Sequence, residues 1–354
     1  MPNGAAHWHL RCKCRCLGML ALQSRDLLNL ENEEKSVAEG AQIAIVGLGA
    51  IGVSMGLALR QAEQSLLVVG HDKDAERAGA ARRLKAVDKT EWNLISACEN
   101  ADLVILAIPM SAMEATMRAL APHLKEGCVV TDAASLKEPV VRWAAQVLPE
   151  TVSFVGGDPV VSSEGTGPDA ADADLFRGSL YCITPAPNVH PDAVDLVSNL
   201  AALLGAHPYY LDAAEHDGLM AGVEHLPQVL ALALMGGAAS QATWREMRRL
   251  AGGSFERISA LLGEDPDALS SLLLANKDNL VRWLDAYTVA LGEVRDLVAG
   301  GEHEPLARAI DQAVVARRQW LHDRGEGFAE IKPVQVERSG FMRQLLFGVR
   351  PRRS

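Results

Sequence analysis

A glycine-rich turn near the start of the chain has the spacing of a dinucleotide phosphate site, and it directly follows a short apolar run at 43–46. In such a turn the first glycine permits a tight bend, the second lets a pyrophosphate approach the backbone, and the third lets the next helix pack on the strand. The N-terminus of that helix would offer unpaired N–H groups and a partial positive charge to the phosphates. The flanking strand and helix patterns favour dinucleotide binding over a chance cluster of glycines. The cofactor-binding residues predicted in this turn are Gly47, Leu48, Gly49, Ala50, Ile51 and Gly52.

A carboxylate follows the next apolar run at the distance expected of a ribose ligand. The run at 66–69 leads into Asp72, which lies twenty residues beyond Gly52. A carboxylate in this place accepts hydrogen bonds from the adenosine ribose and repels a 2′-phosphate, so NAD is favoured over NADP as the cofactor. Lys73 comes next and weakens that preference. As an alternative, Asp72 could simply cap a helix that begins near Lys73.

Short apolar runs rich in Val, Ile and Leu alternate with helical patterns through the first part of the chain. This alternation is typical of a parallel sheet covered by helices on both faces. We therefore predict an α/β Rossmann domain, with a doubly wound and mostly parallel sheet, over residues 41–212. The runs lie at 43–46, 66–69, 103–108, 128–131, 152–155 and 180–183. Ile108 and Pro109, where the third run ends, are further predicted cofactor-binding residues.

Beyond about residue 213 the strand signals stop, and apolar residues recur every three or four positions. One series runs from Leu219 to Leu234, a second from Leu280 to Val298, and a third from Leu306 to Val314. This spacing predicts amphipathic helices, and hence an all-α domain over 213–330. The apolar faces are extensive for so small a domain, which favours burial against a second subunit in a homodimer. Packing within one chain is the alternative.

Length and charge limit the classes of protein that this chain can belong to. Its 354 residues suffice for two domains, and 49% hydrophobic with 22% charged residues is typical of a soluble globular protein. A net charge of −11 argues against nucleic acid or an anionic membrane as the main partner. No apolar run in the sequence approaches the roughly 20 residues that a membrane span needs. A small anionic substrate would need a local basic pocket.

The two ends of the chain, 1–40 and 331–354, lack sustained periodicity and are predicted to be flexible tails, the second of them basic. Cys98, Cys128 and Cys182 fall singly inside apolar stretches, as expected of core residues in a reducing compartment, so a cytoplasmic location is predicted. The remaining three cysteines lie in the N-terminal tail without the spacing of a structural zinc site, and no metal is predicted.

A series of motifs narrows the field of Rossmann dehydrogenases. In their order and spacing these motifs resemble the prephenate and arogenate dehydrogenases, over about residues 41–325. The motifs are Thr131–Lys137, Gly156–Pro159, Ser162–Gly165, Asp174–Gly178, Ile183–Pro185, Glu215–Asp217, Glu224–Pro227 and Phe255–Ser259. Another reductase with a Rossmann domain and a helical domain, such as a β-hydroxyacid or pyrroline carboxylate enzyme, would lack this ordered set.

The resemblance implies an NAD(P)-dependent oxidative decarboxylation in tyrosine biosynthesis. A hydride leaves C4 of a cyclohexadienol for the nicotinamide, the C4 hydroxyl loses its proton, and carbon dioxide departs as the ring becomes aromatic. Prephenate would give 4-hydroxyphenylpyruvate, and arogenate would give tyrosine.

The resemblance also assigns roles to individual residues. Ser135 would hydrogen-bond the C4 hydroxyl, His225 would line the same pocket, and Arg257 would hold a substrate carboxylate with its planar guanidinium. We expect Ser135, Asp158 and Arg257 to converge on one small anionic ring acid. The other predicted substrate-binding residues are Ser163, Glu164 and His216.

Each of the three assigned residues has a structural alternative. Ser135 could only cap a helix. His225 could be a packing residue at a kink caused by Pro227. Arg257 could belong to a surface ion pair, as most arginines do. The ordered motifs favour the functional interpretation in each case.

The sequence departs from the family pattern at the position of the family's general base. The family has Gly-Gly-His-Pro, in which the histidine is the general base for the C4 hydroxyl, and this chain has Asp158 there. A positioned base contributes about 10²–10⁴-fold and works best with a pKa near the operating pH. The reference pKa is about 6.5 for an imidazole and about 3.9 for an aspartate. Nearby, Ala134 replaces a glycine and Glu224 replaces a serine.

Three hypotheses accommodate Asp158. In the first, the protein is a prephenate or arogenate dehydrogenase in which Asp158, raised in pKa by burial, or a relayed water replaces the histidine. In the second, the substrate is 4-amino-4-deoxyprephenate, and Asp158 stabilises the positive charge that develops on its nitrogen. In the third, the chain is a non-catalytic paralogue that binds dinucleotide. The first is the preferred hypothesis.

Overall fold

The computed structural model describes residues 41–62, 66–161, 165, 167–263 and 265–325. The predicted tails, 1–40 and 331–354, and the predicted substrate-binding residues Ser163 and Glu164 lie outside the described residues.

The first part of the described chain forms one eight-stranded sheet. Its strands are β1 (Gln42–Val46), β2 (Leu67–His71), β3 (Lys89–Thr90), β4 (Leu103–Leu106), β5 (Val129–Asp132), β6 (Ser153–Pro159), β7 (Leu180–Pro185) and β8 (His207–Tyr210). The strand order is β3-β2-β1-β4-β5-β6-β7-β8. All of the pairs are parallel except β6 with β7, which is antiparallel. The prediction of a mostly parallel Rossmann sheet is confirmed.

Helices cover both faces of this sheet. They are α1 (Ala50–Gln61), α2 (Ala75–Arg83), α3 (Leu94–Cys98), α4 (Met110–Leu120), α5 (Glu138–Val147) and α6 (Pro191–Leu203). Alternate residues of β1 enter two separate cores, Ile43 and Ile45 on one face and Ala44 and Val46 on the other. A strand buried on both faces needs apolar residues at every position, which is why its sequence is a continuous apolar run.

Helices make up the rest of the described chain, as predicted. They are α7 (Ala213–Met220), α8 (Leu226–Ala239), α9 (Trp244–Leu250), α10 (Gly253–Ser259), α11 (Pro266–Ala275), α12 (Lys277–Gly300) and α13 (His303–Gly325). A π-helical turn, Ala221–His225, joins α7 to α8.

The stretch Ala213–Ala239 is long and apolar enough to cross a membrane by length and composition alone. Those two criteria are a weak indication, because a core helix of a globular protein meets them as well. In this chain the stretch carries the buried polar residues His216 and Asp217, which bond to the sheet domain. It therefore acts here as a helix that joins the two domains.

Many large apolar side chains of the helical domain remain exposed in the single chain. Val223 is 71% exposed, Leu274 is 70% exposed and Val298 is 60% exposed. Patches of this kind on a globular protein mark surfaces that contact a partner.

Candidate active site

The turn after β1 requires glycine at two positions. Gly47 has a φ of +97°, and a Cβ on it would lie 2.2 Å from the carbonyl oxygen of Ala107. A Cβ on Gly52 would lie 2.0 Å from the carbonyl oxygen of Gly47. The spacing that the sequence shows therefore reflects close approach of β1, α1 and the end of β4.

The N-terminus of α1 is left free to bind an anion. The helix starts after Gly49, without a side-chain cap and without an acidic residue in its first turn. The first N–H groups of a helix have no partner inside the helix, and they carry a partial positive charge. This end of α1 fits the pyrophosphate of a dinucleotide.

A cleft of about 820 Å³ opens at the carboxyl ends of β1, β2 and β4. Ligands of open α/β sheets bind at this edge, where the strand order reverses between β1 and β4. Seven of the nine predicted cofactor-binding residues line it: Gly47, Gly49, Ala50, Ile51, Asp72, Ile108 and Pro109. Leu48 is fully buried beneath the turn, and Gly52 packs against the backbone of Gly47.

Asp72 is fixed at the rim of this cleft. Its Oδ2 accepts a hydrogen bond from the backbone N–H of Leu48 (2.8 Å), and its Oδ1 accepts one from Asp74 N–H (2.9 Å). The cap of α2 is Asp74, whose side chain accepts from Glu76 N–H at 2.8 Å. The alternative that Asp72 caps this helix is therefore wrong.

A buried ion pair clamps the backbone next to Asp158. Lys137 and Asp132 are fully buried and bonded to each other. Lys137 Nζ also donates to the carbonyl of Gly157 (2.5 Å), while Asp132 Oδ1 accepts from Gly157 N–H (3.1 Å). Burial raises the pKa of Asp132, although Lys137 opposes that effect. Both the N–H and the carbonyl group of Gly157 are thus hydrogen-bonded, and this fixes the position of the backbone from which the Asp158 side chain extends.

The Gly-Gly pair in β6 has a packing cause. A Cβ on Gly156 would lie 2.3 Å from Thr184 Oγ1, and a Cβ on Gly157 would lie 2.6 Å from the hydroxyl of Tyr181. Side chains of the antiparallel neighbour β7 fill both spaces.

A chain of carboxylate and imidazole groups extends from Asp158 into the helical domain. Asp158 Oδ2 lies 3.1 Å from His216 Nε2, and His216 Nδ1 lies 2.9 Å from Asp217 Oδ1. Since carboxylates only accept, both ring nitrogens donate and His216 is an imidazolium. Burial alone would lower its pKa, but the bonds to Asp158 and Asp217 raise the pKa of His216 to about 11. Both nitrogens are used, so His216 supports Asp158 and has no free nitrogen for a ligand.

Asp217 joins the two domains. Its carboxylate accepts hydrogen bonds from the backbone N–H groups of Lys137 (2.7 Å) and Glu138 (2.9 Å), at the start of α5. An acidic residue of the helical domain therefore caps a helix of the sheet domain, where negative charge is favoured.

His225 presents a single buried donor. Its Nδ1 lies 3.2 Å from Asn276 Nδ2, which also donates to the carbonyl of Asp217 (2.8 Å). An amide nitrogen only donates, so Nδ1 is the acceptor and Nε2 carries the proton. Burial lowers the pKa of His225, although the nearby carboxylates oppose that effect, so the ring stays neutral. Nε2 is buried and has no hydrogen-bond partner among the described residues.

Glu224 adds a second carboxyl to this site. It is half-buried in the π-helical turn next to His225. Burial and the negative charge of Asp158 raise the pKa of Glu224 to about 7, and His216 opposes them.

The remaining predicted residues differ in position. Ser135 is half-buried and lies between Asp132 and Lys137, so it stays near the clamped peptide before Asp158. Arg257 is exposed on α10, a helix that packs on α8. Within the described part of the chain Arg257 forms no hydrogen bond to Ser135 or Asp158, and the convergence of the three on one substrate stays a prediction.

Sequence reasoning did not predict four residues of the site: Lys137, Asp217, Asn276 and Glu224. Lys137 and Asp217 belong to recognised motifs, so their positions gave a signal. For Glu224, the only signal in the sequence is its departure from the family motif. Asn276 lies in the turn between α11 and α12, and nothing in its local sequence points to His225.

Comparison with known proteins shows the family of this chain. A family model described as "Prephenate dehydrogenase, nucleotide-binding domain" matches residues 55–210, and one described as "Prephenate dehydrogenase, dimerization domain" matches 212–312. The prephenate dehydrogenase of Bacillus subtilis (strain 168) is 31% identical over 273 residues, which are 77% of this chain and 74% of that protein. This chain belongs to the prephenate dehydrogenase family.

Other proteins with related names are also similar to this chain. The cyclohexadienyl dehydrogenase of Zymomonas mobilis is 28% identical and matches 78% of this chain and 94% of that protein. Arogenate dehydrogenase from Synechocystis is a solved structure with a TM-score of 0.65 and 26% identity, covering 79% of this chain and 99% of that one. Prephenate dehydrogenase from A. aeolicus, solved with hydroxyphenyl propionate and NAD+, has a TM-score of 0.73 at 24% identity, covers 79% and 98% of the two chains, and shares the fold.

Proposed function

We propose that this chain oxidises and decarboxylates prephenate, or the related amino acid arogenate, with NAD. The observation that carries the proposal is the buried Nε2–H of His225, which no described residue pairs, beside the Asp158–His216 pair in a member of this family. A neutral donor in such a place suits an oxygen of a small anionic acid, because a buried donor without a partner is costly. The names of the relatives favour the hydroxyl-bearing ring over its 4-amino analogue.

The cofactor and the substrate would contact different parts of the chain. When bound, NAD supplies the acceptor for the hydride that leaves C4. The N-terminus of α1 holds the pyrophosphate, and Asp72 accepts from the adenosine ribose, which favours NAD over NADP. Asp158 lies near the carboxyl end of β6, on the sheet edge where the cleft opens.

The substrate would lie against Ser135, Asp158 and His225. Ser135 bonds the C4 hydroxyl, and His225 Nε2–H donates to a substrate oxygen. Arg257 remains a proposed carboxylate ligand. We also propose a homodimer formed by the exposed apolar faces of the helical domain, and a cytoplasmic location, in keeping with the free buried thiols of Cys98, Cys128 and Cys182.

The test is a steady-state assay of cofactor reduction with prephenate and with arogenate, each with NAD and with NADP. The proposal expects turnover with at least one of the two acids and a higher kcat/KM with NAD. His225→Ala should lower kcat/KM by about 10–100-fold, the cost of losing one polar contact of roughly 1.5–3 kcal/mol. Tight binding of NAD without turnover of either acid would refute the proposed activity and favour a non-catalytic paralogue.

A further inference from the structure

Glu224 is a carboxyl group that no contact within the described part of the chain explains. Its side chain makes no hydrogen bond or ion pair with another described residue, although it is half-buried. Burying a carboxyl without a partner is unfavourable unless the group loses its charge or meets a ligand. The π-helical turn Ala221–His225 places it directly before His225, the residue with the free donor.

Asp158 is poorly suited to replace the histidine base of the family. Its Oδ2 is bonded to the imidazolium of His216, which Asp217 holds from the other side. That oxygen is therefore already occupied by a donor. The negative charge of Asp158 acts on its neighbours, since it raises the pKa of Glu224.

Resting on the proposed function, we propose that Glu224 is the general base that accepts the proton of the substrate's C4 hydroxyl. As the C4–H bond breaks and its electron pair passes to the oxidised nicotinamide, the hydroxyl proton moves to the carboxylate of Glu224 and C4 becomes a carbonyl. The C1–carboxylate bond then breaks and carbon dioxide leaves. Its electron pair makes the ring aromatic, and Glu224 returns the proton to the oxygen. No net proton is released.

The two departures from the family motifs then have one explanation. By the resemblance of the motifs, Asp158 stands in the place of the family's histidine, and Glu224 in the place of the serine before His225. The first change removes a base and adds a negative charge. The second change supplies the carboxyl group of Glu224. The negative charge of Asp158 increases the affinity of this group for a proton. The pKa of Glu224, about 7 with burial and Asp158 as the causes, is near the value at which a general base is most effective.

Among the described residues, the charged groups that act on Glu224 come from two elements. Asp158 of β6 raises the pKa of Glu224, and His216 of α7 lowers it. The neighbouring His225 is neutral, and the α12 side chain that packs against this turn at Gly222 is the uncharged Trp283. Removing the charge of Asp158 should therefore lower the pKa of Glu224.

The test is the pH profile of kcat for the wild type and the variants, measured with NAD and the better of the two acids. The profile runs from about pH 5 to about pH 9, a range centred on the pKa that suits a general base. Because the base must be ionised, wild-type kcat should fall as the pH drops below about 7. Glu224→Gln should lower kcat by about 10²–10⁴-fold and abolish this acidic limb. Glu224→Asp should keep the limb, and Asp158→Asn should move it to lower pH. Glu215→Gln, the same change at an exposed position of α7, is the matched control.

The outcomes separate the two proposals. No turnover by the wild type with either acid would refute the proposed function, and the assignment of Glu224 with it. Turnover by the wild type, with Glu224→Gln keeping both the acidic limb and a kcat within a few fold, would overturn the assignment of Glu224 alone. A purely structural role would lower kcat in Glu224→Gln and leave the limb in place, which also overturns it.

Discussion

At the scale of single residues, charge pairing decides the chemistry of the site. Asp158, His216 and Asp217 come from two domains and form one chain of hydrogen bonds, and the Lys137–Asp132 pair holds the peptide beside it. The glycine turn could be predicted because each of its requirements is local. The imidazolium could not be, since residues 58 positions apart make it and no local pattern records their contact.

The buried pair gives a prediction about stability. Lys137→Met should lower the free energy of unfolding by about 3–5 kcal/mol, because Asp132 is then buried without a counter-charge. The double variant Asp132→Asn with Lys137→Met should lose less, as no unpaired charge remains. Arg118→Met removes the exposed ion pair with Glu114 and should change stability by less than about 1 kcal/mol. Urea denaturation measures all three, and equal losses in the single and double variants would contradict the account.

At the scale of elements, the sequence predicts a strand where both faces of that strand are buried. β1, β4 and β5 are buried on both faces, so their apolar runs were recognised. β3 is only two residues long, and β8 has the sequence His-Pro-Tyr-Tyr, so neither carries an apolar run. The π-helical turn cannot be predicted either, because the widening of a single helical turn leaves no periodic signal in the sequence.

The contact between α1 and β1 gives the prediction at this scale. Gly52→Ala would place a Cβ 2.0 Å from the carbonyl oxygen of Gly47 and should weaken NAD binding by at least about tenfold, roughly 1.4 kcal/mol. Gly79→Ala in α2 is the matched control, since its Cβ would lie 3.4 Å from the end of the flexible Arg83 side chain. Fluorescence titration with NADH compares them. Wild-type affinity in Gly52→Ala would show that α1 does not hold the phosphates.

At the scale of the whole molecule, the helical domain exposes more apolar surface than an independent chain would be expected to leave in water. On α12 alone, Val289, Leu291, Val294 and Val298 are all more than half exposed. The amphipathic spacing in the sequence predicted these faces. Which partner covers them could not be read from it, since a helix face that packs inside the chain has the same pattern.

Sedimentation at micromolar concentration tests the proposed homodimer. The wild type should sediment as a dimer, and Val294→Asp should shift it towards monomer, because a charge buried at an apolar interface is costly. Arg295→Asp places the same side chain at the adjacent exposed polar position and should leave the dimer intact. A monomeric wild type, or equal effects of the two variants, would contradict a dimer formed through this face of α12.

The most direct test of the account follows the atom that moves. Prephenate carrying deuterium at C4 is incubated with the wild-type protein and NAD, and the reduced nicotinamide and the carbon dioxide are both quantified. The account predicts that the deuterium appears in the reduced nicotinamide and that one carbon dioxide is released for each NAD reduced. Reduction of NAD without deuterium transfer, or without release of carbon dioxide, would contradict it.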